Sequence, residues 1–126
     1  MPMSSVLLVE DDDSVRTFFE DALREAGFSV RSVPLASQTF DALRAGAPDV
    51  IVLDLGMPLG SLQGMEMLTQ LRQMAPWREI PVIILSAFGD VVNRDVTRRL
   101  GVAAILAKPL VDVEELVRTI RAIDHS

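Results

Sequence analysis

The chain has 126 residues, no cysteine, and 18 acidic against 12 basic side chains, for a formal net charge of −6. That length suits one domain with a real core. The missing cysteine excludes a disulfide framework or thiolate metal site, and the acidic balance argues against binding of this segment to nucleic acid or an anionic membrane. Aromatics are only 5% of the residues against 49% apolar, so the core should be aliphatic. The first residues lack the basic region and apolar stretch of a signal peptide. No apolar run approaches the roughly 18 residues that cross a bilayer. The expectation is one soluble, cytoplasmic domain over residues 1–126.

In chain order, residues 6–9 are four apolar residues in a row, which suits a strand buried on both faces. Asp12 and Asp13 follow as acidic residues at a helix start, one of them the N-cap. Val15, Phe18, Phe19, Ala22, Leu23 and Ala26 recur at i, i+3, i+4, i+7, i+8 and i+11, one stripe of a helix, and Gly27 supplies its stop. Residues 28–32 alternate apolar and polar, which suits an edge strand with one face less covered. A second helix is predicted over residues 35–45, ended by Gly46 and Pro48. Residues 50–53 form another buried strand, and a third helix over 64–74 carries Met65, Leu68 and Leu71. After the apolar run 82–85, a fourth helix over 89–100 ends at Gly101. Residues 103–106 are a last apolar run, again of the kind buried on both faces. Val113, Leu116, Val117, Ile120 and Ile123 then share a stripe of a fifth helix, with Asp112 and Glu115 as its capping box. Met65, Met67 and Met74 read as filler of core or surface, and Trp77 as loop packing.

Five strands alternating with five helices indicate an α/β fold with a parallel sheet covered on both faces. Right-handed crossovers leave few topologies, and the expected one is flavodoxin-like and doubly wound, with strand order 2-1-3-4-5. That order puts the alternating strand at an edge, as its pattern requires.

Ligands of such sheets bind beyond the carboxyl ends of the strands, so the residues closing each apolar run are read together. They are Glu10, Asp11, Asp12 and Asp13 after the first, Asp54 after the third, Ser86 and Ala87 after the fourth, and Lys108 with Pro109 after the fifth. Carboxylates brought this close repel one another. A hard divalent cation removes the conflict, and Mg²⁺ (or Mn²⁺) takes oxygen ligands. Glu10, Asp11 and Asp54, with the backbone carbonyl of Gly56, are the candidate metal ligands. Asp54 is also placed to attack phosphorus. In-line phosphoryl transfer needs charge neutralised on three equatorial oxygens, and the cation, Lys108, and the Ser86 hydroxyl with the Ala87 backbone N–H can share that task.

The chain resembles a response-regulator receiver domain over residues 4–123. The stretches that carry the resemblance are Val6-Leu7-Leu8-Val9-Glu10-Asp11-Asp12, Val52-Leu53-Asp54-Leu55-Gly56-Met57-Pro58, Ile84-Leu85-Ser86-Ala87 and Ala107-Lys108-Pro109. Each alone is weak; all four in order, each closing a different strand, form a specific pattern. The resemblance implies that Asp54 is the phospho-acceptor, Asp11 a direct metal ligand and Glu10 a ligand through water. It implies that Lys108 contacts the phosphoryl group, before a cis peptide to Pro109, and that Ser86 moves toward the phosphate. It further implies a sensor histidine kinase or histidine phosphotransfer protein as donor. A downstream target, an attached output domain or a second copy in a homodimer would then be engaged through the fourth predicted helix, the fifth strand and the fifth predicted helix. The chain would be a signalling switch without a conventional turnover substrate.

Three departures from the family pattern stand out. Ile105 occupies the switch position paired with Ser86, where the family usually has an aromatic residue. Residues 58–64 read as a loop about two residues longer than usual, with Gln63 where Asp is common. Gly56 and Phe88 stand where polar side chains often orient the hydrolytic water, so slow self-dephosphorylation is expected. Rival readings are weaker. A haloacid-dehalogenase-type phosphohydrolase needs a second Asp two residues after the nucleophile, and Gly56 is there. A flavin module needs a phosphate-cradling loop after the first strand, where Glu10 to Asp13 repel phosphate. A phosphorylation-independent adaptor leaves the acidic cluster, Asp54, Ser86 and Lys108 without a task.

Overall fold

The computed structural model describes residues 4–54, 58–87, 98–108 and 113–124, with the backbone alone for residues 58–63, 87, 108 and 124. Its strands are β1 (Ser5–Val9), β2 (Ser29–Val33), β3 (Val50–Asp54), β4 (Val82–Ala87) and β5 (Val102–Lys108). They form one sheet in the order β2-β1-β3-β4-β5, with every neighbouring pair parallel. Four α-helices are described: α1 (Asp13–Glu25), α2 (Thr39–Ala45) behind a 3₁₀ turn (Ala36–Gln38), α3 (Pro58–Arg72) and α4 (Glu114–Asp124). Most of the helix predicted over 89–100, and Asp112 of the predicted capping box, lie outside the described residues.

Alternation along each strand divides the core in two. Val6 and Leu8 of β1, with Val50, Val52, Ile83 and Leu85, pack under Phe19 and Leu23 of α1 and Leu116, Val117 and Ile120 of α4. Leu7, Val9, Ile51, Leu53 and Ile84 face the opposite way, against Leu43 of α2 and Met67, Leu68 and Leu71 of α3. The three central strands are therefore apolar on both sides, which is why their sequences show no alternation. Trp77 packs against the second layer, its ring 6.2 Å from that of Phe40.

Three expectations change. Residues 58–64 are the start of α3, not a long loop: Pro58 opens the helix, where its missing N–H costs nothing, and α3 runs on through both Gly60 and Gly64 to Arg72. The run at 103–106 is not buried on both faces. β5 is the second edge of the sheet, its Ala104, Ile105 and Leu106 are half-buried, and its Ala103 and Ala107 are exposed. Small alanines let the uncharged stretch 103–107 sit at an edge with little apolar area in water, so its sequence mimics a central strand. Phe18, counted in the buried stripe of α1, is 58% exposed. The stops of α1 and of the segment before β5 are as expected: Gly27 and Gly101 have φ of 102° and 71°, conformations in which a side chain is strained.

Candidate functional site

β1 delivers Glu10 to the carboxyl edge of the sheet and the surrounding chain fixes it on three sides. Its N–H donates to the Val33 carbonyl at 3.1 Å, and its own carbonyl accepts from Arg16 Nη1 at 2.9 Å. Its Oε1 accepts from the Asp12 N–H at 2.9 Å. The residue is only 3% exposed, yet its second oxygen, Oε2, is buried with no hydrogen-bond partner among the described residues. A buried polar atom without a partner costs about 1–3 kcal/mol, and more when charged, so such an atom in an otherwise well-bonded residue marks a place for a ligand. A hard cation, directly or through its water, matches a lone carboxylate oxygen.

Asp11 is exposed beside it. Asp12 turns away from the cluster and is the N-cap of α1, its Oδ1 accepting from the Val15 N–H at 2.9 Å. Asp13, in the first turn of α1, has its side chain 88% exposed and pairs with Arg16 at 2.5 Å. The two later acids thus stabilise the helix start, as their position suggested.

Sheet register assembles the rest. Val9 stands opposite Leu53, so Glu10 emerges level with Asp54 on the neighbouring strand, about 4.8 Å away in strand spacing. Asp54 is the half-buried last residue of β3 and pairs with Leu85. It continues the Val50–Val52 side of its strand, the side under α1 and α4. Ser86 is 6% exposed and stands opposite Ala107; Ala87 stands opposite Lys108. Ile84 and Ile105 are register partners and pack in the same layer. Alternation puts Ser86 on that side too, diagonal to Ile105 on the next strand.

Glu10, Asp11, Asp54, Ser86, Ala87 and Lys108 therefore end four adjacent strands at one edge. The structure does not draw the acids into a finished cage: among the described residues, no three Asp, Glu, His or Cys side chains stand close enough to hold a metal. Gly56, Phe88 and Pro109 lie outside the described residues, and of Lys108 only the backbone is described. Arg16 is the residue that sequence reading passed over. The available signal was its place six residues after Glu10 and four before Glu20, on a helix turn that sequence alone would leave in water. A separate groove between the 3₁₀ turn and α3, lined by Leu35, Phe40, Glu66 and Met67 among others, contains none of the expected site residues. No helix among the described residues is long and apolar enough to cross a membrane.

Residues 6–121 match the family model of the response regulator receiver domain. The chain is 35% identical over 119 residues to the DNA-binding transcriptional regulator NtrC of Klebsiella pneumoniae, covering 94% of this chain and 24% of that protein. It is 36% identical over 118 residues to the transcriptional regulatory protein PrrA of Mycobacterium tuberculosis, covering 94% and 48%. It thus spans between a quarter and a half of the length of these relatives. The receiver domain of Francisella response regulator 1452 superposes with a TM-score of 0.80 at 28% identity, over 95% of each chain. Chemotaxis protein CheY4 of Vibrio cholerae superposes with a TM-score of 0.83 at 24% identity, over 97% of this chain and 99% of that one, a likeness of fold.

Proposed function

We infer, from the premise that this chain belongs to the response-regulator receiver-domain family, that it is a Mg²⁺-dependent switch that accepts a phosphoryl group on Asp54. The observation that carries the reading is the row of strand ends. Register alone sets Glu10, with its unpartnered buried oxygen, beside Asp54, and sets Ser86–Ala87 beside Ala107–Lys108.

Glu10, Asp11, Asp54 and the Gly56 carbonyl would hold the cation, and Mn²⁺ can replace Mg²⁺ in an all-oxygen set. Bound there, it supplies positive charge against the phosphoryl oxygens and relieves the repulsion among the carboxylates. A carboxylate oxygen of Asp54 attacks the phosphorus of a phosphohistidine on a kinase or phosphotransfer protein. The P–O bond to Asp54 forms as the P–N bond breaks, and the imidazole leaves with the bond pair and takes up a proton. The Lys108 ammonium, the Ser86 hydroxyl and the Ala87 N–H serve the phosphoryl oxygens as charge gathers on them. No substrate is turned over beyond this self-modification.

The new phosphate biases a pre-existing equilibrium through its contacts with Ser86 and Lys108. The surface that responds comprises the helix expected over residues 89–100, β5 and α4, and a protein target, an output domain or a second copy docks there. The relatives of the chain are transcriptional regulators, so the proposed destination of the signal is transcription, in the cytoplasm, with nucleic acid contacted by a part other than this segment.

Incubation with acetyl phosphate, with and without Mg²⁺, followed by intact mass tests the reading. One phosphate should add only when Mg²⁺ is present, and Asp54→Asn should abolish it. An unmodified protein under both conditions would favour an adaptor that works without phosphorylation.

A further inference from the structure

Phosphoryl transfer to Asp54 gives Arg16 no task, although among the described residues it is the most heavily tied charged side chain beside the site. Its side chain is only 17% exposed. Nη1 donates to the Glu10 carbonyl at 2.9 Å, Nη2 reaches Asp13 Oδ1 at 2.5 Å, and Nε lies 3.9 Å from Glu20 Oε1. Glu20 is itself anchored, accepting from the Ser32 hydroxyl at 2.8 Å and pairing with Arg24 at 3.4 Å. The line Ser32–Glu20–Arg16–Glu10 thus runs from the edge strand β2, across α1, to the end of β1. The second tie from β2, Glu10 N–H to the Val33 carbonyl, meets it at the same residue.

The Glu10 carbonyl belongs to the peptide unit that leads into Asp11, so holding that oxygen sets the direction in which Asp11 leaves the chain. Glu10 is then clamped by its N–H, its carbonyl and its Oε1, while the buried Oε2 is left over. Ordering three of four polar atoms and sparing the fourth is what a preset ligand atom needs. We propose that Arg16 is a positioning residue for the divalent-cation site. Its planar fork spans the Glu10 carbonyl and the Asp13 carboxylate at once, which a single ammonium cannot do. Arg16 touches no cation; it acts through Glu10 and Asp11, and the inference rests on the cation-dependent reading given above.

The sign of the effect separates positioning from simple charge. A guanidinium near a cation site repels the cation, so if charge alone mattered, removing Arg16 would tighten Mg²⁺ binding. Loss of a clamp would weaken it, and groups that orient metal ligands typically change affinity by about 10–100-fold. The test is calorimetric titration of the whole chain with MgCl₂, paired with thermal unfolding in EDTA. Arg16→Gln should weaken Mg²⁺ binding by about tenfold, the low end of that range. Arg16→Lys, which keeps the charge and loses the fork, should weaken it by a smaller factor. Arg44→Ala should leave binding unchanged, because it breaks an exposed arginine–aspartate pair on α2 (Arg44–Asp41, 2.8 Å) that takes no part in the line from Ser32 to Glu10. Unchanged or tighter binding in Arg16→Gln overturns the proposal and leaves the phospho-acceptor reading standing. If Arg16→Gln does not fold, Arg16→Lys decides: weaker binding supports the clamp, and binding equal to the unaltered protein overturns it. Absence of Mg²⁺ binding by the unaltered protein removes the functional reading and the clamp together.

Discussion

The two edges of the sheet are built on opposite plans. β2 is polar in alternation and tied down by side chains: Arg31 donates to the carbonyls of Ala42 (2.9 Å) and Gly46, Arg24 to that of Val30 (3.0 Å), and Ser32 to Glu20 (2.8 Å). β5 from Val102 to Ala107 is wholly aliphatic, half-buried or exposed, and paired with β4; among the described residues its side-chain ties are at its entry, where Arg72 donates to the Leu100 and Gly101 carbonyls. The acid half of the site, Glu10 and Asp11, stands next to the tied edge. The half proposed to sense the phosphate lies at the aliphatic edge, with Ser86 on β4 and Lys108 closing β5 itself. Directional bonds fix a geometry, whereas aliphatic contacts can be exchanged at small cost, so one edge suits holding a cation and the other suits moving. The uncharged stretch of that edge, residues 102–107, is also open to a partner, as the proposed output surface requires.

The largest expected effect comes from comparing a central strand with the loose edge in one register pair. Ile84 is fully buried and its partner Ile105 is half-buried. Ile84→Ala should destabilise by about 3–4 kcal/mol, within the range for buried Ile truncation. Ile105→Ala should lose only about 1 kcal/mol, because less apolar area returns to water. Urea unfolding of both variants measures the difference, and equal losses would mean that β5 is as firmly packed as the centre. The same Ile105→Ala protein sharpens the functional side. If the switch runs on the hydroxyl, Ser86→Ala should erase more of the acetyl-phosphate-induced NMR shifts in β5 than Ile105→Ala does; the opposite ranking would make Ile105 the main relay.

A middle-sized effect belongs to the tied edge. Arg31 caps the end of α2 with two charge-assisted bonds to carbonyls that the helix leaves unpaired. Arg31→Ala should cost about 1–2 kcal/mol, since such bonds are each worth about 1.5–3 kcal/mol when buried and these are partly open to solvent. Urea unfolding again measures it. A change near zero would show that the side-chain ties of β2 contribute little, and that the contrast between the edges is one of sequence and not of stability.

Much of this was legible in the sequence because the strands are short and their ends carry the chemistry. Buried runs set the central strands, alternation set β2 at an edge, and the residues after each run fell on one side of the sheet by topology alone. The misreadings have specific causes. β5 escaped because alanines hide an edge. The start of α3 escaped because Gly60 and Gly64 are poor helix formers, yet the backbone runs helical through both from Pro58. The role of Arg16 escaped because its partners are a backbone carbonyl and an edge-strand hydroxyl by way of Glu20, neither of which periodicity reports.

The smallest effect follows from that last point. α1 turns about 100° per residue, and the apolar stripe drawn from sequence placed Phe18 on its buried side. Arg16 and Glu20 find polar partners against β1 and β2, so the inward face rotates toward them, with Phe19 and Leu23 at its centre and Phe18 turned out. What Phe18 retains is an edge-to-face contact with Phe19, centroids 5.6 Å apart, worth about 0.5–1.5 kcal/mol for buried rings and less in water. Phe18→Ala should therefore change stability by no more than about 0.5 kcal/mol, as for most surface substitutions. Phe19→Ala, one residue on, should cost about 3 kcal/mol or more. A large loss at Phe18 would mean that α1 is rotated back toward its apolar stripe, which would also pull Arg16 away from the Glu10 carbonyl.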